Sequence, residues 1–471
     1  MEFLFPFKSV KRDARIIIYG AGMSGQTYLQ QVMMTKYCEI VCMIDRDAEL
    51  YQMLPVQVAT VEIIETLDYD VVVVANENEK TAKAIIRMLQ EQYHVPREKM
   101  VYDIQYVRPI EKIEGKMDDF PSLAIEGKGK YAIAIRLNGG FGDYIIAKNK
   151  VREVVQWDEN VIIDIFVESK MLEYAKVLFS DVPHIHGIIG NLWIYHVKKK
   201  EYLAAFLFTA ALVVDSINEE SLAAAGLLRE IIVTVKERVT KYYPYGEIPW
   251  AIHFARCEKD GLNCYTSYNR YKEFNVKDVN VSIPMLDEFR EPFRNLHLGE
   301  YVIFNYGADK PKNNDNVILA KVWPLEYYSQ LAKLFKSRYP RISLVQIGLR
   351  DTPKISGMDK YIFGESIELI KYVLKNAMLH VDCEGGMVHL ATQLGTKCVV
   401  LFGPTPIHYY AYRDNINILS ETCSNCCWLP MDCYSCYRGL EKPECMWSIA
   451  PERVMQKIEC FVDEDNNIKK R

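Results

Sequence analysis

The chain has 471 residues, 49% of them hydrophobic and 25% charged, with a formal net charge of −5. At ~100–200 residues per domain that is too long for one core and points to about three domains. The composition is that of a folded chain. The slight acidic excess argues against a general polyanion binder, nucleic acid included.

The start, MEFLFPFKSVKRDAR, has an apolar run interrupted by Pro6 and Lys8 and no small-residue cleavage site. No targeting segment is expected, and the protein is read as cytoplasmic. The longest apolar stretch, Tyr202 to Val214, is shorter than the ~20 residues of a membrane span. It is read as a buried helix running into a strand. Peripheral contact with a membrane is left to an acceptor or partner.

Residues 1–108 alternate short apolar runs with helical patterns. ARIIIYGAG, EIVCMID and DYDVVVVAN read as buried strands; SGQTYLQQVMM and KTAKAIIRMLQEQY read as helices. The alternation predicts a small doubly wound parallel sheet. Gly20, Gly22 and Gly25 follow the first strand and open a helix, and Asp45 closes the next strand 20 residues after Gly25. That is the dinucleotide fingerprint in its required context: glycines for close approach to a pyrophosphate, the acid for ribose hydroxyls. The segment spans only half of a full dinucleotide-binding domain. Nucleotide or sugar-nucleotide binding therefore stands beside a structural or regulatory module that has kept the turn. Residues 109–130 hold two prolines and three glycines with no apolar period and read as a linker.

Residues 131–295 open with YAIAIRLNGGFGD, a strand and a glycine-rich turn. VIIDIFVES and AALVVDSI are further strands, and SLAAAGLLREIIVTVKERV is a helix. Asp143 stands where the helix after the first turn begins. It reads either as a helix cap or as a carboxylate at a cleft edge that takes a proton from an attacking hydroxyl.

Residues 296–471 carry four buried strands in YVIFNYG, ISLVQIG, MLHVDCEGG and KCVVLFGP. The helix WPLEYYSQLAKLFKSRY lies between the first two, and ESIELIKYVLKNA precedes the third. Two α/β units facing each other across a cleft make a natural ligand site. Strand MLHVDC brings Glu384 to the carboxyl edge of the sheet. Gly385 and Gly386 then offer backbone N–H groups at a helix start, where a diphosphate is favoured. Glu384 would repel phosphate and suits sugar hydroxyls instead. His389, one turn into that helix, is a packed structural residue or a catalyst. Lys310, Lys312 and Lys321 follow a strand end; Lys321, directly before Trp323-Pro324, is placed to neutralise a departing diphosphate.

Six of the 13 cysteines fall between Cys423 and Cys445, in the pattern Cys423-x2-Cys426-Cys427-x5-Cys433-x2-Cys436-x8-Cys445. In an intracellular chain this reads first as a metal site rather than disulfides. Thiolate ligation suits structural zinc or iron. Cys423, Cys426, Cys436 and Cys445 are the leading set, with Cys427 and Cys433 as competitors. A reduced, metal-free loop is the alternative. The expected role is to staple the loop that returns towards the cleft, or to build a homo-oligomer contact.

Together, RLNGGFGD at 136–143, KVWPLEYYSQLAKLF at 321–335, EGGMVHLATQLGTKCVVLFGPTPIH at 384–408 and CMWSIAPERV at 445–454 resemble glycosyltransferase family nine, the ADP-heptose heptosyltransferases. The resemblance implies an α/β fold of GT-B type: an acceptor domain at 131–295 and a donor domain at 296–471, each Rossmann-like. It implies inverting transfer of a heptose or related sugar from a nucleotide-sugar, with no metal needed for the reaction. By position it makes Asp143 the general base, Lys321 the diphosphate contact and Gly385 and Gly386 the backbone cradle. It puts Glu384 on the donor-sugar hydroxyls and His389 on the helix-start histidine. Glu384 stands where the family usually has Asp, and Gly385 where it has Ser or Thr. The EGG form resembles the autotransporter heptosyltransferases, a subgroup that modifies protein serines and carries a cysteine-held iron. The acceptor is thus a glycan, a lipid-linked sugar or a protein. Residues 1–108 fall outside the family and look like the small nucleoside-diphosphate-sugar or CoA-binding-type domains attached to polysaccharide-synthesis enzymes. Two rival functions remain: an NAD(P)-dependent oxidoreductase or epimerase carried by Gly20–Asp45, and a non-catalytic sugar-nucleotide scaffold.

Overall fold

A computed structural model describes residues 3–35, 37–52, 54–106, 121–127, 129–243, 250–277, 279–307, 320–426, 436 and 438–469. They form two compact units, one carrying an N-terminal sheet and the other two larger sheets.

The N-terminal sheet contains β1 (Arg15–Tyr19), β2 (Glu39–Ile44), β3 (Val58–Ala59), β4 (Val71–Val74) and β5 (Met100–Val101). All neighbours are parallel, in the order β3-β2-β1-β4-β5. Both faces are covered, so alternate residues of one strand enter different cores. Ile16 and Ile18 pack with Tyr28 and Leu29 of α1 (Met23–Thr35), whereas Ile17 packs with Leu89 of α2 (Glu79–Gln92). The chain reverses direction in the sheet at β1, so the turn after β1 lies at the topological switch point, where ligands of such sheets bind.

The first sheet of the larger unit contains β6 (Tyr131–Leu137), β7 (Val161–Phe166), β8 (Ile185–Ile189), β9 (Ala204–Phe208) and β10 (Leu212–Ile217), in the order β8-β7-β6-β9-β10. Only β9 and β10 pair antiparallel. This corrects the expected buried helix within 202–214. Thr209 closes the hairpin: its hydroxyl donates to Ala211 O at 2.6 Å and accepts from Ala211 N at 3.2 Å. A short apolar run has no period that separates helix from strand. Helix α3 (Phe141–Val155) follows β6. The single helix expected at 221–239 is two, α4 (Glu219–Ala223) and α5 (Gly226–Tyr242). Gly226 has φ +54, a left-handed conformation that interrupts a helix.

The second sheet contains β11 (Tyr301–Asn305), β12 (Ser343–Gly348), β13 (Lys360–Phe363), β14 (Leu379–Cys383), β15 (Cys398–Phe402) and β16 (Ile416–Leu419). It is wholly parallel, in the order β13-β12-β11-β14-β15-β16. Leu331 and Phe335 of α6 (Leu325–Arg338) are fully buried against it, and Leu334 packs at the margin. Val454 and Ile458 of the C-terminal helix Pro451–Lys469 join the same core. Each sheet of this unit has its switch point at its first strand. The loops after β6 and β14 therefore open on the carboxyl edges, and the helices they begin touch. The arrangement is of GT-B type: two facing Rossmann-like sheets, preceded by a small parallel one. Among the described residues, no helix is long and apolar enough to cross a membrane.

Candidate functional site

One contact between the two halves of the larger unit is made by glycines at two helix starts. Gly142 opens α3, and Gly386 opens the helix Gly386–Gln393. A Cβ on Gly142 would lie 2.7 Å from His389 Cδ2 and 3.0 Å from Gly386 Cα; one on Gly386 would lie 3.0 Å from Gly142 N. Any side chain at this crossing would force the helices apart. Gly385 differs: a Cβ there meets only Cys383 O, at 3.8 Å. Of the two glycines expected to cradle a diphosphate, Gly385 has room around it and Gly386 is filled by the facing helix.

Glu384 follows β14 and is 5% exposed. Lys321 Nζ lies 2.8 Å from its Oε2, an ion pair set off the hydrogen-bonding axis. His389 Nε2 lies 3.7 Å from its Oε1. Burial pushes the Glu384 carboxyl up, but Lys321 and His389 outweigh burial and hold it at about 2. Lys321 reaches this position because Trp323 anchors its segment. Trp323 N donates to Cys383 Sγ at 3.3 Å, and its indole donates to Ile449 O at 2.9 Å. Beneath Glu384, buried Asp382 accepts from Asn305 at 2.9 Å and contacts His380 at 3.2 Å; burial raises its carboxyl.

His389 is buried, and its Nδ1 lies 2.7 Å from the Tyr412 hydroxyl. Tyr412 meets the Tyr265 hydroxyl, which accepts from Gln393 Nε2 at 3.1 Å. Gln393 also donates to Val279 O at 2.9 Å and accepts from Val281 N at 2.7 Å. Sequence reasoning missed Tyr265, Gln393 and Tyr412. Their one signal was the aromatic, polar run around Tyr265, which has no usable period.

Asp143 is exposed, in the first turn of α3. Its Oδ2 accepts from Gly140 N at 2.8 Å, a capping geometry. The same side chain lines a narrow cavity with Asn138, Lys150, Thr209, Cys264 and Tyr410. Asp143, Gly385, Gly386, Glu384, His389 and Lys321 are thus gathered around one crossing. Lys310 and Lys312 lie outside the described residues.

In the N-terminal unit, Gly20 has φ +111, and a Cβ there would strike Ala75 O at 2.6 Å. A Cβ on Gly25 would sit 1.8 Å from Gly20 O, whereas Gly22 faces open space. Those are the three glycine roles of a dinucleotide turn: tight bend, open approach, close packing. Asp45 is turned inward. Its Oδ2 accepts from Ala21 N at 2.7 Å and its Oδ1 from Asp47 N at 3.0 Å.

Of the cysteine cluster, Cys423, Cys426, Cys436 and Cys445 are described; Cys427 and Cys433 are not. Burial, then the field of the other thiols, pushes Cys426 to about 11 and Cys445 to about 12. The four lie in one neighbourhood, but among the described residues no three His, Cys, Asp or Glu side chains are placed to hold a metal ion. The neighbourhood adjoins the site: Cys445 Sγ lies 3.8 Å from Ala320 O, beside Lys321. Asn425 N donates to Gly403 O, in the turn after β15, at 3.4 Å.

Residues 12–101 match the family model C2185-like, N-terminal. No curated protein matches the chain. The Escherichia coli ADP-heptose lipopolysaccharide heptosyltransferase II is similar at 13% identity, covering 71% of this chain and 99% of that one with a TM-score of 0.45. A family nine glycosyl transferase of Veillonella parvula DSM 2008 is similar at 15% identity, with coverages of 71% and 98% and a TM-score of 0.45. The iron-containing dodecameric glycosyltransferase TibC of enterotoxigenic E. coli H10407 is similar at 13% identity, with coverages of 71% and 77% and a TM-score of 0.45.

Proposed function

We propose that the chain is an inverting glycosyltransferase that moves a heptose or related sugar from a nucleotide-sugar, ADP-linked by resemblance, to a hydroxyl of a glycan, lipid-linked or protein acceptor. The observation that supports this reading is the glycine crossing: Gly142, next to Asp143, meets Gly386 and His389, and His389 and Lys321 flank Glu384. Asp143 takes the proton of the acceptor hydroxyl as its oxygen attacks the anomeric carbon. The bond from that carbon to the diphosphate breaks, and the pair of electrons leaves with the diphosphate. Lys321 stabilises that charge. To do so it exchanges Glu384 for phosphate oxygens, which frees the Glu384 carboxylate for sugar hydroxyls. Gly385 lets the diphosphate approach the helix start.

The test is a panel of nucleotide-sugars scored by thermal shift and by transfer, with Asp143→Asn beside the native chain. A donor should raise the melting temperature of both proteins. Transfer should fall on the order of 10²–10⁴-fold in the variant. Normal transfer by Asp143→Asn removes Asp143 as the base.

Two further assignments belong to this reading. The turn at Gly20, Gly22 and Gly25 takes a nucleotide or sugar-nucleotide, supported by the open face of Gly22. The cysteine segment holds a structural zinc or iron, supported by the spacing of its six cysteines. Metal content that survives purification and drops in Cys426→Ser checks the second; metal-free protein of full stability rejects it. A homo-oligomer is expected, and its size in solution is the measure.

A further inference from the structure

Asp143 shares its cavity with a second charged group of the same helix. Asp143, Ile146, Ala147 and Lys150 follow one another at intervals of three, one and three, and all four line it. They form one face of α3. Lys150 is at the buried end, 1% exposed. Its Nζ donates to Ser267 Oγ at 3.2 Å and sits 4.0 Å from the centre of the Tyr268 ring. Ser267 Oγ in turn lies 3.2 Å from Ala210 O and 3.3 Å from Cys264 O, so the hydroxyl is held in place. The contacts of the ammonium are a hydroxyl and an aromatic face. Its electrostatic neighbours are Cys264 and Cys257 on the packed segments and Asp143 on its own helix. Burial raises both thiols, which keeps them neutral at physiological pH, and Glu384 adds to the field on Cys264. Tyr409, which also lines the cavity, is likewise held neutral by burial. Among the described residues that line this cavity, Asp143 is thus the one that carries the opposite charge.

We propose that Lys150 is a positioning residue for Asp143: its buried ammonium keeps that carboxylate ionised when an acceptor covers it and strips it of water. This rests on the transferase reading. An exposed carboxylate needs no help to ionise. Covering it with substrate favours the neutral acid, which cannot accept a proton. A fixed cation in the same cavity opposes that shift at the moment the base is used. Burial lowers Lys150 to about 8, so the ammonium is present below that pH and lost above it.

The experiment pairs Lys150→Met with Lys150→Arg. The pH profile of transfer is measured alongside a ¹³C NMR titration of the Asp143 carboxyl, assigned with Asp143→Asn. Lys150→Met removes the positive charge, so the Asp143 titration and the acid limb of transfer should move to higher pH by about half to one unit. Lys150→Arg should leave both near their native positions. A carboxyl unmoved in Lys150→Met overturns the proposal, as does an equal shift in both variants. The carboxyl readout is independent of turnover. A shifted carboxyl in protein that transfers no sugar rejects the transferase reading and keeps the charge coupling; an unshifted one in active enzyme does the reverse.

Discussion

Two of the strand-to-helix turns that combine glycines with an acid use the acid in opposite ways. In the N-terminal unit Asp45 bonds backward to Ala21 N of the turn itself, while Gly25 packs on Gly20. The turn is closed on itself and only Gly22 is open. In the larger unit Glu384 turns away from its glycines to Lys321 and His389, and Gly386 packs on a different helix. Backbone N–H groups cannot leave the turn they belong to. A lysine side chain 20% exposed can change partner. The first arrangement stiffens a turn, and the second holds a charge that a ligand can take over.

The largest expected effect tests that charge. Glu384 is held at about 2 in the folded chain against an ordinary value of 4.5. A depressed carboxyl contributes stability that is fully present above the unfolded value and is lost as pH falls through the folded one. Here the window runs from about pH 4.5 down to about 2, and the contribution is about 3 kcal/mol. Glu384→Gln should therefore lose about that much at neutral pH and flatten the acid limb of urea stability measured against pH. An unchanged acid limb would show that the Lys321 pair contributes nothing. Because a diphosphate must take Lys321 from Glu384, it should protect this variant at least as well as the native chain.

Next in size are the glycines. Gly25→Ala puts a methyl 1.8 Å from a backbone oxygen, and nothing there can yield without moving the turn. A loss of about 3 kcal/mol, confined to the N-terminal unit, is expected. Gly386→Ala meets Gly142 N at 3.0 Å and should cost about 1 kcal/mol. Its larger consequence is functional, because it pushes Asp143's helix away from the helix Gly386–Gln393. A fall in transfer that exceeds the fall in stability is the outcome that separates the two glycines. Hydrogen exchange resolved by segment reports where each turn loosens.

Much of the fold was legible because buried parallel strands are continuous apolar runs, as in VVVV at 71–74 and CVVLF at 398–402. Not every edge strand was. KYIF at 360–363 is short and half-buried and carries no such run. The first strand of the hairpin in 202–214 reads as a helix running into the second, because two abutting apolar strands look like one long run. In the site, the residue types were legible where glycine turns met strand ends. Their pairings were not. Lys321 and Glu384 are far apart in sequence, and their contact depends on Trp323 reaching Cys383 and Ile449. The glycine crossing was equally hidden, since Gly142 reads locally as one more turn residue. Its partner lies in the other sheet.

The smallest expected effect decides whether the N-terminal turn is closed for good. Asp45 accepts two backbone hydrogen bonds with two oxygens, from Ala21 at 2.7 Å and Asp47 at 3.0 Å. Asp45→Asn keeps one acceptor and replaces the other with a donor that faces an N–H. The charge-assisted bond is lost, at about 1 kcal/mol. A drop of a few degrees in the melting of that unit is the stability readout. The ligand readout carries more. If Asp45 serves ribose hydroxyls of a bound nucleotide, affinity should fall about tenfold in the variant, since a carboxylate accepts from a diol and an amide serves it less well. If a phosphate must instead displace Asp45 from Ala21 N, removing the negative charge should tighten binding. We expect the fall. Tighter binding would show that the carboxylate occupies the anion's own position. The contrast between the two turns would then be one of degree, with Asp45 and Lys321 both giving up a partner to let a ligand in.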